Sequence, residues 1–330
     1  MFSNNKPRRK RFGERPFQQG NNKFRRPFNN NGQRPQQNFQ QPSAAQREFF
    51  DKVSIDPAPR ILLEKGLSEH TVRAMDLICP IGKGQRGLIV SPPKSGKTTF
   101  LKHICMALTK ADPNLKVYCL LVDERPEEVT DFKRSVTAEV RFSTSDQPYE
   151  NHIRVANELI KQAVEQANAG QDVMILIDSL TRLARVHNSA MRGGGRTMSG
   201  GVDANGLLIP RKIFGTARNI EGPGSLGILA TILVETGSRM DDVIFQEFKG
   251  TGNMELVLSR DVSDRRIFPA INVRESGTRK EELLFSPEEL KANRTLRAAL
   301  ASMNEVDAAQ ALSDLLNKYP TNAQITASLL

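Results

Sequence analysis

The chain has 330 residues, enough for one or two domains with a sizeable core, and 38% of them are hydrophobic. It carries 47 Lys and Arg against 37 Asp and Glu, a net charge of +10. No apolar run approaches the ~20 residues that cross a bilayer, the N-terminus MFSNNKPRRK lacks the apolar segment of a secretory leader, and three cysteines (Cys79, Cys105, Cys119) have neither metal-like spacing nor an even count. A reduced, cytoplasmic setting is expected.

The excess charge lies at one end. Residues 1–42 hold ten Lys and Arg and one acid, Glu14, so the rest of the chain is nearly neutral. They contain no Val, Ile or Leu, but six Phe among Asn, Gln, Arg, Pro and Gly. Such a segment cannot bury enough apolar surface to offset ordering, and residues 1–48 are expected to be a disordered basic tail. Arg beside Phe, as in Arg11-Phe12 and Phe24-Arg25, suits single-stranded nucleic acid: Arg meets phosphate and Phe stacks on bases. A purely solubilising tail fits the same composition.

Residues 49–80, with DPAPRILLEKG, are expected to form a connector. Over 81–280 strands and helices alternate. RGLIVS (86–91) is β-rich and TTFLKHICMALTK after it is helical. KVYCLLVDE (116–124) and DVMILIDS (172–179) are nearly continuous apolar strands, with GSLGILATILVET and NMELVLSR further on. PEEVTDFKRSV opens with Pro126 and two acids, a helix start, and NHIRVANELIKQAVEQANAG is a long helix ending at Gly170. Apolar strands separated by helices predict an α/β fold, a mostly parallel sheet with helices on both faces. Residues 281–330 read as a C-terminal helical subdomain.

SPPKSGKTT (91–99) resembles G-x-x-x-x-G-K-[ST], with Ser91 where the first glycine is usual. A strand feeds it and a helix starts near Lys97, the context in which loop amides and a helix N-terminus hold phosphate. Gly96 admits the backbone, Lys97 bridges phosphates, and Thr98 offers a hydroxyl to Mg²⁺. Asp178, closing VMILID, fits a Mg²⁺-holding carboxylate, or equally, with Ser179, a cap on the next helix. Glu124 is placed to orient an attacking water, with Asp123 as competitor.

GLIVSPPKSGKT, LLVDERPEEVTDF, LIDSLTRLAR, SGGVDANGL, FKGTGNMEL and SGTRKEEL together resemble the bacterial Rho family of transcription termination factors, in order, over about 49–330. The resemblance implies a RecA-like P-loop NTPase, using ATP and Mg²⁺ to move along RNA as a homo-hexamer, with RNA polymerase as a further partner and no membrane. It implies a triphosphate held by Pro93, Lys94, Ser95, Gly96, Lys97, Thr98 and Thr99, with metal at Thr98 and Asp178. Glu124 is then the catalytic carboxylate, Arg125 braces the γ-phosphate and Phe268 stacks on adenine. Arg266 and Arg279 act in trans as arginine fingers. RNA contacts fall on a loop with Arg196, Thr197, Gly200 and Gly201, and on ETGSRMDD with Arg239. The family usually has lysine at positions 196 and 239; arginine keeps the charge. Members normally begin with a helical bundle and an OB-fold that grips cytidine-rich RNA. Neither is read in the first 48 residues: either the tail takes that place, or the chain is a truncated or specialised relative with RNA-stimulated ATPase but no transcript-selective termination. An F1-type or flagellar-export ATPase would share the fold without GTGNMEL, and a non-enzymatic remnant would be expected to lose residues such as Lys97 or Glu124.

Overall fold

The structure, a computed structural model, describes Met1 and residues 43–191, 199–203 and 205–330. The expectations for residues 2–42 fall outside the described residues. Residues Pro42–Leu330 form one unit.

The body starts earlier than the sequence suggests. Helix α1 (Ala44–Asp51) begins on Ser43, whose hydroxyl accepts the Gln46 amide while the Gln46 side chain accepts the Ser43 amide. Phe49 on α1 is fully buried. The expected boundary at residue 48 therefore cuts a helix whose single buried side chain left little hydrophobic pattern. The expected connector is also partly core. β1 (Ser54–Ile55) and β2 (Arg60–Ile61) are short, but α2 (His70–Ile78) is buried from Val72 onward.

After β3 (Ile81–Gly82), which pairs with β2, come the strands of the main sheet: β4 (Arg86–Ser91), β5 (Lys116–Glu124), β6 (Glu139–Thr144), β7 (Asp172–Asp178), β8 (Arg218–Ile220), β9 (Ser225–Leu233), β10 (Met254–Val257) and β11 (Gly277–Thr278). The order is β11-β10-β4-β9-β7-β5-β6; all pairings from β10 to β6 are parallel, and β11 is antiparallel to β10. β8 runs antiparallel to both β1 and β9. β6 was not legible in sequence. It is an edge strand whose Glu139 and Arg141 interrupt the apolar pattern, as edges tend to do.

Alternate residues of β5 explain why it reads as a continuous apolar run. Val117, Cys119 and Leu121 join a core with α2, α3 (Lys97–Ala111) and the C-terminal helices; Tyr118, Leu120 and Val122 join a second core on the other face. That second core includes α1, α5 (Tyr149–Asn168), α6 (Leu180–Met191), α7 (Leu208–Gly215) and α8 (Arg239–Phe248). α4 (Pro126–Ser135) follows β5 and α9 (Arg260–Asp264) follows β10.

Residues 281–330 are helical as expected, with α10 (Pro287–Ala301), α11 (Glu305–Lys318) and α12 (Asn322–Leu329). They are sewn to α2: Arg73 donates to the Leu316 and Tyr319 carbonyls at 2.9 and 2.6 Å, and Asn322 Nδ2 donates to the Arg73 carbonyl at 2.9 Å. Among the described residues no helix is long and apolar enough to cross a membrane.

Candidate active site

The loop after β4 lies at the C-terminal edge of the parallel strands, where open α/β sheets bind ligands. Ser91 is buried, the last residue of β4, paired with Leu233 of β9. Its hydroxyl lies 2.8 Å from that of Ser95, which donates to the Pro92 carbonyl at 2.8 Å. Side-chain hydrogen bonds thus close a turn that two prolines stiffen. The chain reverses with Lys94 at φ 68° and Gly96 at φ 88°. Gly96 caps α3 in the left-handed region that glycine enters without cost. A Cβ there would sit 3.6 Å from the Phe268 ring, so the expected adenine platform borders this loop. Phe268 is 46% exposed.

Two strands deliver the carboxylates. Asp178 ends β7 and Leu121 of β5 is its register partner; three residues on lies Glu124. Between Val122 and Glu124 the register of β5 shifts, and Asp123 takes φ 54°. With this bulge it is Glu124 whose carboxylate pairs with Arg182 and feels the Asp178 charge. Glu124 and Asp178 are 2% and 3% exposed, while the Asp123 charge acts on His152 instead. The Ser179 hydroxyl accepts the Arg182 amide and caps α6, while the Asp178 carboxylate faces Lys97.

Lys97 Nζ binds both Asp178 oxygens, and Thr231 Oγ1 donates to Asp178 Oδ1 at 2.8 Å. The Arg182 guanidinium pairs with Glu124 at 3.0 Å and donates to the Asp123 carbonyl. The Arg125 amide donates to Glu124 Oε1 at 3.1 Å. Its guanidinium is exposed, 3.8 Å from Glu128, and so is open to a ligand. Burial raises the Glu124 pKa, Asp178 adds to the rise, and Arg182, the Arg125 amide and Lys97 oppose it. A raised carboxylate beside a phosphate loop suits a proton acceptor. Thr98 and Asp178 are hard oxygen donors of the kind Mg²⁺ takes; Thr98 lies at the start of α3 and Asp178 at the end of β7.

The expected arginines separate. Arg266, exposed at φ 63°, lies two residues before Phe268 and so near this chain's own loop. Arg279 is at the other end of the sheet. Its amide donates to the Asn253 carbonyl at 2.9 Å, and the Asn253 amide donates to Arg86, the first residue of β4. A six-residue strand is ~20 Å long, so Arg279 is about that far from the loop of its own chain.

Of the expected RNA residues, Arg196 and Thr197 lie outside the described residues. Gly200, Gly201 and Arg239 are brought together. Gly200, at φ 73°, packs so closely on the start of α8 that a Cβ would lie 2.8 Å from the Arg239 carbonyl oxygen. Arg239 itself is exposed on the first turn of α8. Sequence reading placed a helix after Asp178 but gave its polar residues no role. α6 carries Arg182 to Glu124, Arg185 to the fully buried Asp241 of α8 (Arg185 Nε to Oδ1, 2.7 Å), and Asn188 to the Gly201 carbonyl and the Asp203 amide at 3.2 and 2.7 Å. The signal available was an Arg, Arg, Asn spacing of three behind Asp178, which places all three near one helix face.

Residues 71–278 match the nucleotide-binding domain of the ATP synthase alpha/beta family. The chain is 49% identical over 276 residues to the transcription termination factor Rho of Streptosporangium roseum, covering 84% of this chain and 72% of that protein. It is 50% identical over 279 residues to that of Haemophilus influenzae, covering 84% and 66%. With that of Micrococcus luteus it shares 51% over 277 residues, 84% of this chain but 40% of the relative. Among solved structures, a prototypical ATPase of a type III secretion system superposes with a TM-score of 0.68 at 23% identity, covering 83% and 84%. That likeness bears on the fold alone.

Proposed function

The chain belongs to the transcription termination factor Rho family, and from that premise we propose an ATP-driven RNA translocase that works as a cytoplasmic ring of six identical subunits and ends transcription by pulling RNA. The observation that carries the reading is the division of charge between the two ends of the sheet. A phosphate loop, a buried carboxylate pair and two cations meet at one end, and Arg279 stands at the other. A ring lets the second end of one subunit complete the first end of the next.

In this scheme the loop amides, Lys94 and Lys97 take the triphosphate, and Lys97 exchanges Asp178 for phosphate oxygens. Thr98 and Asp178 would hold Mg²⁺, which when bound offsets charge on the β- and γ-phosphates. Glu124 accepts the proton of the attacking water. Arg182 keeps the Glu124 carboxylate aimed and offsets part of the rise in its pKa. Arg125 braces the γ-phosphate, Phe268 stacks on adenine, and Arg266 borders that pocket. Arg279 of the neighbouring subunit neutralises charge that develops in the transition state. Arg239 and the loop ending at Gly200 and Gly201 hold RNA phosphates, with RNA polymerase as the ultimate target.

RNA-stimulated ATP turnover tests the proposal, with poly(C) against poly(A). Equal rates with and without RNA would sink it and leave the runner-up, a ring ATPase of another kind.

A further inference from the structure

The motif GTGNMEL is a family mark in the sequence, but the hydrolysis scheme gives it no work. In the structure its asparagine is a junction. Asn253 Oδ1 accepts from Gln85 Nε2 at 2.6 Å and from the Arg86 amide at 2.9 Å. The Asn253 amide donates back to the Arg86 carbonyl at 2.9 Å, and its carbonyl accepts the Arg279 amide at 2.9 Å. Gln85 is fully buried, and its Oε1 accepts the Gly82 amide at 3.0 Å. One residue therefore ties the start of β4 to the residue just past β11.

We infer that Asn253 is a positioning residue for Arg279: it fixes the trans-acting arginine against the base of the sheet so that the guanidinium reaches the neighbouring subunit's ATP. The inference rests on the proposed role of Arg279.

Three observations support it. β11 is two residues long, so its ladder holds Arg279 weakly without a further tie. Arg279 and Arg86 are close like charges, and neither makes an ion pair among the described residues; burial and then the Arg279 charge disfavour the charge on Arg86. Arg86 is tied by its own Nε to the Thr251 carbonyl at 2.6 Å, so the position of Arg279 depends on the Asn253 bonds, helped by Thr278 Oγ1 donating to the Pro80 carbonyl at 2.8 Å. Finally, a Cβ on Gly252 would lie 3.0 Å from the Arg86 carbonyl oxygen. The glycine before Asn253 lets the two strands come this close, so the motif reads as a clamp with its clearance.

The test uses full-length protein and mixed rings. A displacement of about 1 Å in a charge-stabilising group costs on the order of 10²-fold in rate. Asn253→Ala is expected to lower kcat by about that factor while KM for ATP changes by less than about threefold, because the chain's own ATP loop is untouched. Rings mixed from Asn253→Ala and Lys97→Ala subunits should regain first-turnover hydrolysis. Each intact loop of the first then faces a well-held Arg279 of the second. Arg279→Ala mixed with Lys97→Ala is the control. Recovery in both mixtures supports the inference. Recovery in the control alone overturns it, since Asn253 then acts within its own subunit. Failure of the control overturns the trans reading of Arg279, and the inference with it. If Asn253→Ala does not fold, Gln85→Met removes one of the two bonds to Oδ1 and is expected to give a smaller loss, again restored by mixing; a loss that mixing does not restore overturns the inference.

Discussion

The two ends of the parallel sheet differ in how their charges are satisfied. At the C-terminal edge each buried carboxylate has a cation from the same chain: Lys97 for Asp178, Arg182 for Glu124. At the opposite edge Arg86 and Arg279 make no ion pair among the described residues; their backbones are held by hydrogen bonds through Asn253, and Arg86 Nε donates to the Thr251 carbonyl at 2.6 Å. The first end is self-sufficient in charge, and in the proposed scheme a triphosphate enters it by exchange. The second is fixed in shape but open in charge, as a group meant for another molecule's anion would be.

The sharpest way to break this contrast is to remove the open charge. Arg279→Ala is expected to lower RNA-stimulated hydrolysis by ~10³–10⁵-fold, the scale of an arginine finger, with ATP binding retained; equilibrium binding of a fluorescent ATP analogue checks the second half. Lys97→Ala attacks the paired end and should lower hydrolysis by at least ~10²–10³-fold, the scale for one transition-state donor. Unlike Arg279→Ala it should also destabilise the nucleotide-free protein, on the order of 3 kcal/mol, because Asp178 loses its buried partner. Thermal melts of the two variants separate the ends directly: equal melting temperatures would contradict the contrast.

Glu124 gives the contrast a pH signature. Its pKa is raised chiefly by burial, and Arg182 holds it down. In the proposed scheme catalysis needs the ionised form, so the acid limb of single-turnover hydrolysis should lie above the ordinary glutamate range, with rate lost as pH falls through it. Arg182→Ala should move that limb to higher pH by removing a lowering charge, and Glu124→Gln should abolish the limb with the activity. Smaller effects should come from α6. Arg185→Ala strips the buried Asp241 of its cation and should weaken RNA stimulation about tenfold more than RNA-free hydrolysis. Deleting residues 1–42 should reduce RNA affinity and flatten its salt dependence, by up to ~0.7 in log–log slope for each phosphate the tail no longer neutralises; filter binding at two salt concentrations measures it.

Much of the first end was legible in the chain. Lys97, Thr98 and Asp178 stand at fixed offsets from strand ends, and apolar runs announce those strands. Which of Asp123 and Glu124 pairs with Arg182 was not legible, because it turns on a bulge with Asp123 at φ 54° that no local pattern announces. Arg182 and Arg185 read as ordinary charges on a helix until their partners, far off in sequence, came into place.

The sequence by itself determined the local pieces: which runs become strands buried on both faces, where the phosphate loop turns, and which family signature the motifs spell. These depend on periodicity and on interactions between near neighbours. Only the tertiary structure decided which charges pair, that Phe268 borders Gly96, and that Arg279 lies a strand's length from its own chain's loop. Those facts follow from the order in which parallel strands cross over, which brings residues more than a hundred positions apart together and sends others to opposite ends.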